Sequence, residues 1–160
     1  MNIEKMFQAQ KVLDEHINEN HENIENRLEK KILAMLVEVG ECANEWRGFK
    51  FWSNDQQPRK EKLLEELVDV WHFVLSIGND IGFNNYKKIK ANRIDSTLCD
   101  FNNLYLFIMD FYVQPSLHQY QWLFIQLIDL SLSLGFTLEE IEEAYYKKNK
   151  INHERQENGY

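Results

Sequence analysis

The sequence predicts an all-α, single-domain protein, a helical bundle of about six helices. Between residues 3 and 83 the apolar residues recur at three- and four-residue intervals, with almost no strand-like alternation. Only 6 glycines and 2 prolines occur in 160 residues, so few positions interrupt long helices. A chain of this length with 44% hydrophobic and 28% charged residues has enough apolar mass for one continuous core and too little for two. The 13% aromatic content excludes collagen-like, linker-like and disordered chains.

The first helix is expected over residues 3–18, with Ile3, Met6, Phe7, Gln10, Leu13 and Ile17 on one stripe; a glutamine stands in an otherwise apolar row. The second runs over residues 25–46 and stops near Gly48, before a loop of polar residues ending in Pro58. The third spans residues 59–78 or 59–81, its core stripe formed by Leu64, Leu67, Val68, Trp71, Val74 and Leu75. Residues 84–95 are polar and basic and read as the one internal linker. Residues 98–113 and 117–134 follow as two helices parted at Pro115.

The segment from Trp122 to Ile128 is apolar on nearly all sides and must be surrounded by protein, which in so short a chain suggests a second subunit and an intertwined homodimer. Thr137 and Glu140 fit a capping box, so a sixth helix starts there and is expected to run to about Asn149. Beyond it the chain has few apolar anchors, and composition alone predicts a frayed tail.

Eighteen Lys and Arg against 26 Asp and Glu give a net charge of −8, which disfavours nucleic-acid coating and anionic membranes. Cys42 and Cys99 are isolated from one another and from any zinc-ligand spacing. The start lacks a signal-peptide pattern, and no apolar run approaches the roughly 20 residues that span a bilayer. The expectation is a soluble, cytoplasmic protein with no membrane or nucleic-acid partner.

The chemistry is concentrated in two acidic pairs. On a helical wheel Glu38, Glu41 and Glu45 fall within roughly 60° of one another on an otherwise apolar helix. No Lys or Arg follows at i+4, so the repulsion needs compensation from elsewhere. Glu66 and Asp69 repeat the three-residue spacing on the third helix, with His72 one turn on. Two neighbouring antiparallel helices pool these four carboxylates into a hard oxygen site that suits Mg²⁺ or Mn²⁺. A lone Glu-x-x-Glu pair is usually solvated; the apolar host helix and the second pair argue against that here.

Between the pairs lie Arg47, Lys50, Arg59, Lys60 and Lys62, interleaved with Trp46, Phe49, Phe51 and Trp52, a pattern that suits stacking on a flat ring while cations meet phosphates. Near the end, Lys148, Asn152 and Arg155 share one helical face and offer two phosphate ligands and an amide able to pair with a base edge.

These features resemble the dimeric all-α dUTPases of the wider MazG-like NTP pyrophosphohydrolase superfamily, along nearly the whole chain. The superfamily signature matches Glu38-Val-Gly-Glu41 and Glu66-Leu-Val-Asp69. The dUTPase branch is matched by Gln10, the Phe49-Lys50-Phe51-Trp52 loop, Asp69-Val-Trp-His72-Phe73, and the ending with Lys148, Asn149, Asn152, Arg155, Gln156, Gly159 and Tyr160. The resemblance implies that residues 1–160 form one such domain, hydrolysing dUTP to dUMP and pyrophosphate in a homodimer, with dUDP a second substrate that would release phosphate. It further implies Mg²⁺ held by Glu38, Glu41, Glu66 and Asp69, with a metal-activated water attacking the α-phosphorus and Glu38 or Glu41 as catalytic base. Lys148, Arg155 and Tyr160 are implied to bind phosphates; Gln10 and Asn152 the uracil edge; Trp52 the ring; His72 the sugar.

Two other functions compete with this one. A related pyrophosphohydrolase for another nucleoside triphosphate would use the same four carboxylates, because these do not choose a base. A non-catalytic helical module binding another protein, such as a regulatory partner, would use the acidic cleft and an apolar face.

Overall fold

The computed structural model describes residues 1–21, 24–84 and 96–159. Six helices and no strand occur among them: α1 (Ile3–Asn20), α2 (Arg27–Trp46), α3 (Lys60–Asp80), α4 (Thr97–Val113), α5 (Leu117–Ser133) and α6 (Leu138–Glu157). The expected linker lies, apart from Asn84, outside the described residues. No single helix among the described residues is long and apolar enough to cross a membrane.

The chain's entry into four of the six helices is set by a side-chain cap. Asn2, Ser96, Ser116 and Thr137 accept a backbone N–H of the first turn of α1, α4, α5 and α6, and Glu140 closes the expected capping box on Thr137. The αα-hairpin of α2 and α3 forms the tightest helix pair, α4 and α5 form a second, and α3 sits against α1, α2, α5 and α6. This central place explains why α3 is buried on several faces: Leu63, Leu67, Val70, Trp71 and residues 74–78 are all covered. Trp71, fully buried, donates its indole N–H to Ser131 Oγ at 3.2 Å and meets the Phe124 ring edge-on at 5.6 Å.

Close packing at the hub depends on Gly78. A Cβ there would lie 2.3 Å from Tyr120 Oη and 2.7 Å from Phe7 Cε1. Tyr120 is itself fixed, buried and donating to Val74 O at 2.6 Å. Gly78→Ala is therefore expected to destabilise the fold by about 1–3 kcal/mol, read as a lower urea midpoint at unchanged slope.

Two expectations are corrected. First, α6 does not stop near Asn149 and fray; it continues to Glu157. Its last turns dock on α1 through polar contacts that composition cannot reveal. The His16 and His153 rings stack at 5.3 Å with their Nδ1 atoms 3.0 Å apart, and Asn20 Nδ2 donates to Gln156 O and Oε1 at 3.2 and 3.3 Å. Second, the chain itself covers most of α5, burying Leu123, Phe124, Leu127 and Leu130, although Leu117 and Trp122 stay exposed. The surplus apolar surface lies mainly on α4, at Leu98, Leu106, Met109 and Val113, and beside it on α2, at Leu33 and Val37.

Candidate active site

The α2–α3 hairpin, closed by the loop over residues 47–59, brings Glu38 of the first acidic pair beside Glu66 and Asp69 of the second. One carboxylate oxygen from each of Glu38, Glu66 and Asp69 falls within 4.8 Å of the others. Glu41 is exposed and stands outside this group, yet its charge acts on both Glu38 and Glu66. Burial, followed by the charges of Asp69, Glu41 and Glu66, pushes the Glu38 carboxyl up to about 7. Burial also raises Glu66 and Asp69, the latter against a hydrogen bond from Lys148 that pulls the other way. Such half-buried, mutually repelling oxygens are a donor set for a hard divalent cation. Glu45, the third acid of the strip, faces Arg59 at 3.3 Å; its compensation comes from the end of the loop rather than from i+4.

Beside the carboxylates opens a cavity of about 430 Å³, bounded by α1, α2, α3 and α6. Gln10, Glu38, Asp69, His72, Asn152 and Arg155 all line it, so six of the residues singled out from the sequence converge on one space. Its inner wall is an ordered polar network. Gln10 Nε2 donates to Asp14 Oδ1 at 2.9 Å, which turns its Oε1 toward His72 Nδ1 at 2.8 Å and the Tyr145 hydroxyl at 3.1 Å. Ser76 Oγ also donates to Asp14 Oδ1, at 2.9 Å. The His72 ring stacks on Tyr145 at 4.4 Å. Burial, and behind it the Lys148 charge, lowers His72 to about 3, so the ring is neutral near pH 7. With Nδ1–H given to Gln10, His72 Nε2 is a bare acceptor; it and Asp14 Oδ2 are buried without a hydrogen-bond partner.

Lys148 is buried, with its ammonium 2.6 Å from Asp69 Oδ2 and 3.2 Å from Glu65 Oε1. Trp52 is exposed, meets Phe49 and Phe51 edge-on, and does not line the cavity. Tyr160 lies outside the described residues. Of the loop residues, Arg47 is buried and donates to Asp55 O at 3.1 and 2.7 Å, pinning the loop, and Trp46 packs on Phe101 at 5.2 Å. Asp14, Ser76, Tyr145 and Glu65 were not singled out from the sequence. Only Asp14 carried a signal there, a carboxylate one turn after Gln10 on the same stripe.

An all-α bundle that pools carboxylates from a helical hairpin next to a nucleoside-sized cavity defines a nucleotide pyrophosphohydrolase of the all-α class. A family model described as dUTPase matches residues 2–160, and the chain belongs to that family, the dimeric all-α dUTPases. The enzyme is thus a dUTP diphosphatase in class, a hydrolase of nucleotide metabolism acting on a nucleotide substrate. A search of curated proteins returned no match.

Proposed function

We propose that this enzyme hydrolyses dUTP, and dUDP as a second substrate, to dUMP using Mg²⁺, which Mn²⁺ can replace, and that residues 1–160 act as one catalytic domain within a cytoplasmic homodimer. The observation that carries this is the convergence of three carboxylate oxygens within 4.8 Å at the rim of a cavity lined by Gln10, Asp14, His72 and Asn152. Glu38, Glu66 and Asp69, joined by Glu41 one turn from Glu38, hold the divalent ion. When bound, that ion supplies Lewis acidity, making a water nucleophilic near neutral pH and offsetting phosphate charge.

The chain's own groups do the rest. Glu38 accepts the proton of the attacking water; without metal its carboxyl is pushed up to about 7 by burial and the neighbouring acids, and a bound ion would bring it down. Lys148 and Arg155 neutralise phosphate oxygens, and Tyr160 donates a hydrogen bond to them. Gln10 is committed to Asp14, His72 and Tyr145, so its part in base recognition is chiefly to hold the acceptors of Asp14 and His72, two residues of the cavity lining. These acceptors meet the donors a deoxyuridine offers, the ring N3–H and the 3′-hydroxyl, while Asn152 pairs with the base edge. His72, backed by Tyr145, packs near the sugar and crowds out a ribose 2′-hydroxyl.

Trp52 lies away from the cavity of its own chain, so its stacking on the base requires the second protomer to bring it there. The apolar faces of α4 and α2 supply the surface that such a homodimer would bury. Free Cys42 and exposed free Cys99 suit a reducing cytoplasm.

The test is pyrophosphate release from dUTP, dCTP, dTTP and UTP, with and without Mg²⁺. The expected result is metal-dependent turnover with kcat/KM for dUTP at least about 100-fold above the others. Equal use of dCTP and dUTP would remove the uracil assignment, and full activity in chelator would remove the metal.

A further inference from the structure

We infer that Lys148 is the resident cation of the nucleotide-free site, seated on Asp69 in competition with the divalent ion, and that Glu65 is the positioning residue that receives it when the ion enters. This rests on the metal and phosphate roles proposed above.

Lys148 reaches from α6 onto α3 and straddles two carboxylates one helical turn apart, Glu65 and Asp69. The 2.6 Å contact is to Asp69, one of the three clustered acids; the 3.2 Å contact is to Glu65, which points to solvent and stands outside that cluster. Two cations cannot share Asp69 without strong repulsion, because the ammonium and a coordinated ion would sit only a few ångström apart in a half-buried site. Something has to yield, and the lysine has somewhere to go. It also borders a groove of about 710 Å³ between α3 and α6, lined by Glu61, Lys62, Glu65 and Lys147. Glu65, in that lining, keeps the ammonium at the rim where the polyphosphate arrives.

The consequence is coupling. A phosphate that draws Lys148 from Asp69 bares a ligand for the metal, so nucleotide and metal each tighten the other, by the same factor. Metal alone must first displace the lysine and binds weakly.

The experiment is Mn²⁺ binding by electron paramagnetic resonance, with and without α,β-imido-dUTP, in the full chain and in Lys148→Met, Lys147→Met, Glu65→Gln and Glu66→Gln. In nucleotide-free protein, Lys148→Met is expected to tighten Mn²⁺ by roughly tenfold, while Lys147→Met, with the same charge change on an exposed neighbour, gives less than about threefold. The analogue tightens Mn²⁺ in the unmodified protein, and Lys148→Met removes most of that gain. Glu65→Gln weakens Mn²⁺ several-fold because the lysine loses its second seat; in the Lys148→Met background the same change has little effect, whereas a simple loss of negative charge would act equally in both.

Equal effects of Lys148→Met and Lys147→Met would overturn the inference, provided that Glu66→Gln abolishes Mn²⁺ binding. If Glu66→Gln leaves Mn²⁺ binding intact, the metal site itself is wrong and this inference falls with it. Coupling by the analogue in the unmodified protein needs no variant, so it tests the idea even if one fails to fold; its absence overturns it.

Discussion

Glu66→Gln is expected to lower pyrophosphate release from dUTP by at least about three orders of magnitude while raising the melting temperature of the metal-free protein. Both effects have one cause. Glu66, Glu38 and Asp69 crowd negative charge into a half-buried cluster, and the fold raises the pKa of all three. A carboxyl whose pKa is higher folded than unfolded binds its proton more tightly in the native state. Its contribution is therefore fully present below the unfolded value and is lost as pH rises through the folded value.

For Glu38 that window runs from its ordinary 4.5 to about 7. Across it the metal-free protein should lose about 1–2 kcal/mol, less than the full shift implies because the side chain is only partly buried. Metal reverses the sign, since only the ionised carboxylates bind it and protons are released on binding. Melting curves from pH 4.5 to 8, with chelator and with Mg²⁺, read both slopes. A variant that is inactive and also less stable without metal would show that Glu66 is structural instead.

Asp14→Asn is expected to lower kcat/KM for dUTP by about 10- to 100-fold, mainly through KM, without lowering apo stability. Asp14 Oδ1 is held by Gln10 and Ser76, while Oδ2 is buried and unpartnered. Burial raises its pKa above the ordinary aspartate value, with Gln10, Lys31 and Ser76 opposing. An isosteric amide relieves the buried charge but presents an N–H where the carboxylate presents an acceptor, or turns that N–H against Gln10 and Ser76. Nucleotide donors then find fewer acceptors. A panel comparing dUTP with a 3′-deoxy analogue locates the lost contact: if the variant and the parent lose equally on 3′-deoxygenation, Asp14 accepts from the base and not from the sugar. Unchanged KM for dUTP would remove Asp14 from the binding wall.

The parts of the site that lie on one helix or one hairpin were legible from spacing. Glu38 and Glu41, or Glu66 and Asp69, share a face because a helix turns about 100° per residue, and α2 and α3, consecutive in the chain and joined by the loop over residues 47–59, pack as antiparallel neighbours. Gln10 stood out because an amide in an apolar stripe needs a buried partner. That partner was not legible. His72 is 62 residues away and Tyr145 135 residues away, and nothing local ties them to Gln10. The same holds for Lys148, which the sequence placed with the phosphates and which the fold seats on Asp69, 79 residues distant. The end of α6 was missed for a related reason: its anchors are His153 and Gln156, polar residues that become holding points only because α1 lies alongside.

What the sequence alone determined is therefore the all-helical class, the six helices in order, and the acidic pairs, since each follows from periodicity, caps and short-range geometry. Tertiary structure decided which acids cluster, which lysine guards them, and that Gln10 spends its hydrogen bonds on Asp14, His72 and Tyr145. Those outcomes depend on how helices far apart in the chain cross and what they bury between them, and burial, unlike helical phase, is a property of the packed whole.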